Sequence, residues 1–461
     1  MVASSRKLPR HPAILASYAV LTLCRDHPTI VGAFVVGGSA VAQVRRTAVV
    51  VSPPSTSTSS WSPIRRGASS SSSIVATHRL AMGDSPDGIA AAEDGFGTMS
   101  TTAADVVPDP SSVATTTVES LSSPRILDNY DTFLLDMWGV LHDGRSPYEG
   151  VLHAVRKLKE AGKRLIILSN SSKRKEDSEA MLARLGFDPS DFHDIITSGD
   201  VAHGLLRGDA GVGCENWHVL DDLIKRGRRN VFVFGSGDDD GGYCASAGWT
   251  PSSIENADLI LARGTFVIDD GSGTIISKDV DEALYWEVME RSMIVASRRK
   301  LPMLVCNPDK VRPDPVNRTP MPGAIGDTYE RFVWTTNCHP VGDMSEEGAR
   351  AYVRRIGKPF REVYDIALAS SSSSRDNDEE ENGHRSRRRV IMIGDALETD
   401  VVGGNDAGID VLWIVNDGIH GVNVREGGVD GTLERFNRNT EYTYAYGNKV
   451  IPRYVADHFR W

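Results

Sequence analysis

The sequence predicts an α/β fold: a parallel sheet covered by helices, an inserted α/β unit of roughly domain size, and a disordered leader ahead of both. Three observations carry this. Two apolar strand-type runs, Phe133-Leu-Leu and Val390-Ile-Met-Ile-Gly394, each end in a carboxylate, Asp136 and Asp395. A helix-type stretch lies between the first run and a third, Arg164 to Leu168, and a strand, helix, strand order with short links implies parallel strands joined by a right-handed crossover. Finally, Ser169 follows Asp136 by 33 positions while Lys358 follows Ser169 by 189, which leaves room for a second unit only in the later interval.

Composition narrows the class. A chain of 461 residues with 40% apolar content can build a sizeable core and two or three domains. Its net charge of −11 and pI near 5.6 argue against a nucleic-acid binder or a binder of anionic membranes, since both need a basic face. Five scattered cysteines (Cys24, Cys214, Cys244, Cys306 and Cys338), none in a CxxC pair, read as reduced thiols without structural zinc.

Residues 1–122 read as a targeting leader. Its first 80 positions carry Arg6, Lys7, Arg10, Arg25, Arg45, Arg46, Arg65, Arg66 and Arg79 against one acid, Asp26, amid serine and threonine tracts. That composition predicts import into a plastid or mitochondrion; the alternative is a disordered extension on a cytoplasmic protein. The apolar pieces Pro12–Cys24 and Thr29–Val44 are each shorter than a spanning helix, so no stable membrane span is expected in the mature form.

From there the boundaries fall at 123–200 for the first part of the core, 201–325 for the inserted unit and 326–461 for the second part of the core. Asp136 closes strand one. Pro147–Gly162 reads as a helix with Val151, Leu152, Val155 and Leu158 on one stripe, and Arg164–Leu168 is strand two. Within the insertion, Val231–Phe234, Leu259–Leu261 and Met303–Cys306 read as strands and Glu282–Val295 as a helix. Gly235-Ser-Gly237 lacks the third glycine of a dinucleotide loop and reads as a surface turn. After a helix over Pro359–Leu368, residues 370–389 are a serine, acidic and basic tract expected to be a disordered loop. Asp410–Val415 is expected to be the strand that closes the fold, and Ile451–Trp461 to dock as a last helix.

Chemistry concentrates at strand ends, where ligands of open α/β sheets bind. Asp136 and Asp395 could share one metal ion, or each could merely cap the following helix. Ser169-Asn170 after strand two could hold a phosphate or cap a helix, and Lys358 could neutralise a phosphate or be a solvated charge. Mg²⁺ wants hard oxygen ligands, which Asp136, Asp395 and a backbone carbonyl would supply.

Taken in order, Asp136, Ser169, Lys358 and Asp395 with Asp400, in the wording "IGKPF" and "GDALETD", resemble the four motifs of the haloacid dehalogenase superfamily over residues 131–461. The resemblance implies a Rossmann-like core, with the insertion as a C2 cap that shields the site, chooses the substrate and offers a homodimer surface. Asn307-Pro-Asp309 and Pro322-Gly-Ala324 resemble the habits of subfamily IIA, which includes pyridoxal-phosphate, phosphoglycolate and nitrophenyl-phosphate phosphatases. It also implies roles. Asp136 would be the nucleophile, and Asp136, Asp395 and the Trp138 carbonyl would ligate Mg²⁺. Ser169 and Asn170 would hold the phosphoryl group, Lys358 would neutralise it, and Asp400 would orient Lys358.

One position departs from the pattern. The superfamily places a second Asp two residues after the nucleophile, as proton donor to the leaving group, and here Trp138 stands there. An indole cannot do general acid–base work, which is typically worth ~10²–10⁴ in rate. The sequence therefore predicts a Mg²⁺-dependent phosphatase of small phosphorylated metabolites. Its alternatives are a phosphometabolite-binding protein with little turnover and a dehalogenase-like hydrolase attacking carbon.

Overall fold

The computed structural model describes residues 115–209, 217–312, 319–337, 344–372, 389–438 and 449–461. Most of the leader and of the 370–389 tract lies outside these, and so do Cys24, Cys214 and Cys338.

The first sheet uses β1 (Thr116–Thr117), β2 (Thr132–Leu135), β3 (Arg164–Ser169) and β4 (Asp194–Thr197). The second sheet follows with β5 (Asn230–Gly235), β6 (Thr250–Pro251), β7 (Leu259–Ala262), β8 (Val267–Asp269), β9 (Ile276–Ser277), β10 (Met303–Val305) and β11 (Val353–Arg355). The chain then returns to the first sheet with β12 (Val390–Gly394), β13 (Asp410–Ile414) and β14 (Tyr454–Ala456). The first sheet has the order β1-β14-β13-β12-β2-β3-β4 and every pairing in it is parallel.

Its strands are apolar on both faces because helices cover both, as parallel sheets require. Alternation then sends successive side chains to opposite sides. Leu134, Ile166 and Met392 join one buried cluster, while Phe133, Leu135, Leu165, Ile167, Ile391 and Ile393 join the other. The cluster containing Leu134 continues into the second sheet through Val231, Val233, Leu261 and Cys306, so the two sheets pack around one shared core. The opposite face of the second sheet is closed by helices Glu282–Arg299 and Pro322–Asn337 through Tyr285, Met293, Ile325 and Tyr329.

Four boundaries differ from the sequence reading. The core begins before 123, because Thr116 and Thr117 pair with Tyr454 and Val455 while Leu121 is buried. The inserted sheet extends past 325 to Arg355, since β11 pairs with β10 and the break at 325 would cut a helix. Helix Arg361–Ser372 outruns Leu368, its end held where the Arg164 guanidinium donates to the Ser371 carbonyl at 2.8 Å. The C-terminal segment carries a strand where a helix was expected, because Tyr454-Val-Ala456 fits between β13 and β1, and Phe459 is buried beyond it. Asp410–Ile414 is thus not the edge of the sheet.

Gly235-Ser-Gly237 is a turn, and a carboxylate fills it: Asp240 accepts from the Ser236 amide at 3.1 Å and the Gly237 amide at 2.8 Å. Among the described residues no helix is long and apolar enough to cross a membrane.

Candidate active site

β2 and β12 are neighbours, with Leu135 opposite Ile393, so the residues that follow them leave the sheet side by side at its carboxyl edge. The Asp136 amide donates to the Ile393 carbonyl at 2.9 Å and extends that pairing by one step. Asp395 follows β12 directly. Asp400 lies one turn further along, in the wide π-helical turn Leu397–Val401, and its Oδ2 accepts from the Ala396 amide at 3.0 Å. One oxygen each of Asp136, Asp395 and Asp400 therefore falls within 4.8 Å of the others.

Glycines make that approach possible. Gly139 has φ +88°, and a Cβ on it would sit 2.3 Å from Asp395 Cγ; one on Gly418 would sit 2.3 Å from Asp395 Cβ. Neither position has room for a side chain. The loop carrying Gly418 also supplies the Ile419 amide, which donates to Asp395 Oδ2 at 2.8 Å.

Lys358 arrives from the second sheet, three residues past β11, and is 2% exposed. Its Nζ lies 2.7 Å from Asp136 Oδ1 and 2.7 Å from Asp400 Oδ1. Asn170 anchors the backbone there: its Oδ1 accepts from the Lys358 amide at 2.7 Å, and its Nδ2 donates to the Lys358 carbonyl at 2.9 Å. The same Nδ2 donates to Asp309 Oδ1 at 2.8 Å, so a residue from the insertion joins the network. Ser169 ends β3 beside β2, and its Oγ accepts from the Ser171 amide at 3.3 Å.

Three carboxylates against one ammonium leave excess negative charge in a buried place. Burial lifts the Asp136 carboxyl to about 7 despite the nearby Lys358. Burial, followed by repulsion from Asp136 and Asp400, puts Asp395 well above the ordinary carboxylate range. Burial would depress Lys358, yet Asp136 and Asp400 hold it above its ordinary value. A hard divalent cation is the natural complement of such a donor set, since it would let every carboxylate stay ionised. The Trp138 carbonyl accepts no hydrogen bond among the described residues, so it too could ligate a cation.

The structure thus brings Asp136, Asp395, Asp400, Lys358 and Asn170 together and sets Ser169 on the adjoining strand end. Sequence reasoning left out Asp309, which burial lifts to about 6 and which touches Asn170. Its only signal was the Asn307-Pro-Asp309 wording. His142 sits in the turn after β2. Burial lowers it to about 4, its Nδ1 accepts from the Gly144 amide at 2.9 Å, and its buried Nε2 has no partner. Trp138 lies edge-on to that imidazole at 6.0 Å between ring centres.

Compared with known families, residues 133–246 match the haloacid dehalogenase-like hydrolases, and residues 355–432 match a family described as HAD-hydrolase-like. The two matches carry Asp136, Ser169 and Asn170, and then Lys358, Asp395 and Asp400. A Caenorhabditis elegans protein bearing the NipSnap name is 25% identical over 308 residues, 63% of this chain and 49% of its own, so the chain spans about half its length. Glycerol-3-phosphate phosphatase of Gallus gallus is 26% identical over 341 residues, 74% of this chain and 93% of that one. A haloacid dehalogenase-like hydrolase of Brucella suis superposes with a TM-score of 0.49 at 23% identity, covering 74% of this chain and 99% of its own.

Proposed function

We propose, for a chain that belongs to the haloacid dehalogenase-like hydrolases, that it is a Mg²⁺-dependent phosphatase of small phosphorylated metabolites. The observation that carries this reading is the buried Lys358 ammonium, 2.7 Å from both Asp136 and Asp400 beside Asp395. A phosphoryl group needs its charge neutralised and a nucleophile held in line. Lys358 serves the first need and Asp136 the second.

Asp136 attacks phosphorus as the ester P–O bond breaks and the alcohol leaves, giving an aspartyl-phosphate that water then hydrolyses to inorganic phosphate and free Asp136, the covalent route open to a carboxylate. Asp400 fixes the Lys358 ammonium, and Asn170 fixes the Lys358 main chain. Ser169 and the Asn170 amide hold a phosphoryl oxygen. Asp136, Asp395 and the Trp138 carbonyl would hold Mg²⁺, which would supply charge neutralisation there. The name of the avian relative supports a phosphate-ester substrate. Trp138 cannot protonate the leaving oxygen, so among esters bound alike those with the more stable leaving anions turn over faster.

The test is phosphate release from p-nitrophenyl phosphate by the purified chain, with Mg²⁺ and with chelator. The reading predicts release only with the metal and none from Asp136→Asn. Full activity in that variant refutes the covalent route. Binding of phosphate esters with no release by the wild type would instead favour a phosphometabolite-binding protein, the alternative that Trp138 keeps open. The basic leader supports an organelle address, which imaging a fusion of residues 1–114 to a fluorescent protein would test.

A further inference from the structure

The segment after β10 does two things at once. Asp309 joins the site network through Asn170. Three residues later, the Arg312 guanidinium lies 5.3 Å from the Trp138 ring centre and 5.9 Å from that of Phe266. The backbone is pinned there, because Arg312 donates to the Thr319 carbonyl at 2.9 Å and Met321 to the Lys310 carbonyl at 3.0 Å. Its neighbour Lys310 is engaged with Asp327 at 3.0 Å. The Arg312 guanidinium, half-buried, has no carboxylate or carbonyl partner among the described residues.

A guanidinium over aromatic rings keeps its planar face covered and its N–H edge open. That edge forms paired, in-plane hydrogen bonds and suits a planar carboxylate best. The charges inside the site make the same point. Lys358 is already committed to Asp136 and Asp400, where the phosphoryl group would react, so a second cation outside that cluster is not needed for the phosphate. It is suited to a second anionic group on the same ligand.

We propose that Arg312, held over Trp138 and Phe266, is a specificity-determining residue that binds a carboxylate on the leaving part of the substrate. The substrate class is then a phosphorylated hydroxy acid rather than a phosphorylated neutral alcohol. This deepens the phosphatase reading and rests on it for catalysis, though not for binding.

The experiment compares 3-phosphoglycerate with glycerol 1-phosphate, which share a three-carbon skeleton and differ at the carboxylate, with p-nitrophenyl phosphate as a reference carrying no carboxylate. All are assayed with Mg²⁺ on the full chain. Charge-assisted hydrogen bonds of this kind predict a preference for the acid of about 10–100-fold in kcat/KM. Arg312→Ala removes that preference while leaving p-nitrophenyl phosphate within about twofold, and Arg312→Lys keeps part of it. Thermal unfolding of each variant shows whether the fold is retained.

Equal losses on all three esters in a folded Arg312→Ala protein, or no preference in the wild type, overturn the proposal. If no ester releases phosphate, the phosphatase reading fails by itself. Calorimetric titration of the same acid and alcohol with Mg²⁺ then decides the Arg312 proposal: tighter binding of the acid, lost in Arg312→Ala, upholds it. Equal binding, or binding of neither at millimolar concentration, overturns it.

Discussion

Replacing Lys358 by methionine keeps the length of the side chain and removes its charge from a place that is 2% exposed. Two carboxylates, Asp136 and Asp400, each lose a partner at 2.7 Å, and Asp395 stays within 4.8 Å of both. Breaking a buried pair by deleting one partner costs about 3–5 kcal/mol, because the remaining charge is stranded. The cost should depend on pH. Asp136, lifted to about 7, and Asp395, held well above the ordinary carboxylate range by burial, bind protons in the folded state that they release when unfolded, so the metal-free protein loses stability as pH rises from about 4 through about 7. Without Lys358 these carboxyls titrate higher still and the decline steepens. Urea denaturation in chelator should therefore show the variant about 3–5 kcal/mol less stable at about pH 8, with the gap narrowing towards about pH 5, where protonated carboxyls need no partner. A gap of equal size at both pH values would refute the reasoning.

Three further outcomes follow from the same geometry. Mg²⁺ binding should release protons and tighten as pH rises through about 7, because Asp136 must ionise to serve as a ligand; calorimetry in two buffers of different ionisation enthalpy reads the protons directly. Gly139→Ala should cost about 1–2 kcal/mol in backbone strain at φ +88° and push the Asp395 carboxylate aside, so that its Mg²⁺ affinity, measured by titration, falls far more than its unfolding temperature. Trp138→Asp should raise kcat on alkyl phosphates more than on p-nitrophenyl phosphate, by up to ~10²-fold, since only the former need a proton donor; an equal rise on both would argue against a missing general acid.

The parallel strands Thr132–Leu135, Arg164–Ser169 and Val390–Gly394 were legible because a strand buried on both faces is apolar throughout and ends abruptly in a polar residue. The short β1 and β14 were not, since two or three residues such as Thr116-Thr117 gain their conformation from neighbours remote in the chain. The same limit hid β11, whose Val353-Arg-Arg355 reads as surface until it pairs with Met303–Val305. Asp136, Lys358 and Asp395 were legible from their order and wording. Arg312 was not, because what distinguishes it is the lack of a counter-charge among the described residues and the nearness of two aromatic rings, neither of which spacing encodes. Trp138 could be seen as a departure, but its contact with the insertion appears only in three dimensions.

The phosphatase reading requires Asp136, Asp395 and the Trp138 carbonyl to hold one divalent cation, facing a phosphoryl group bound by Lys358 and Ser169. Anomalous diffraction from crystals grown with Mn²⁺ and vanadate tests it most directly. Such crystals should show a single strong manganese peak coordinated by both carboxylates, with vanadium in line with an Asp136 oxygen. Manganese bound elsewhere, or vanadium out of reach of Asp136, would contradict it.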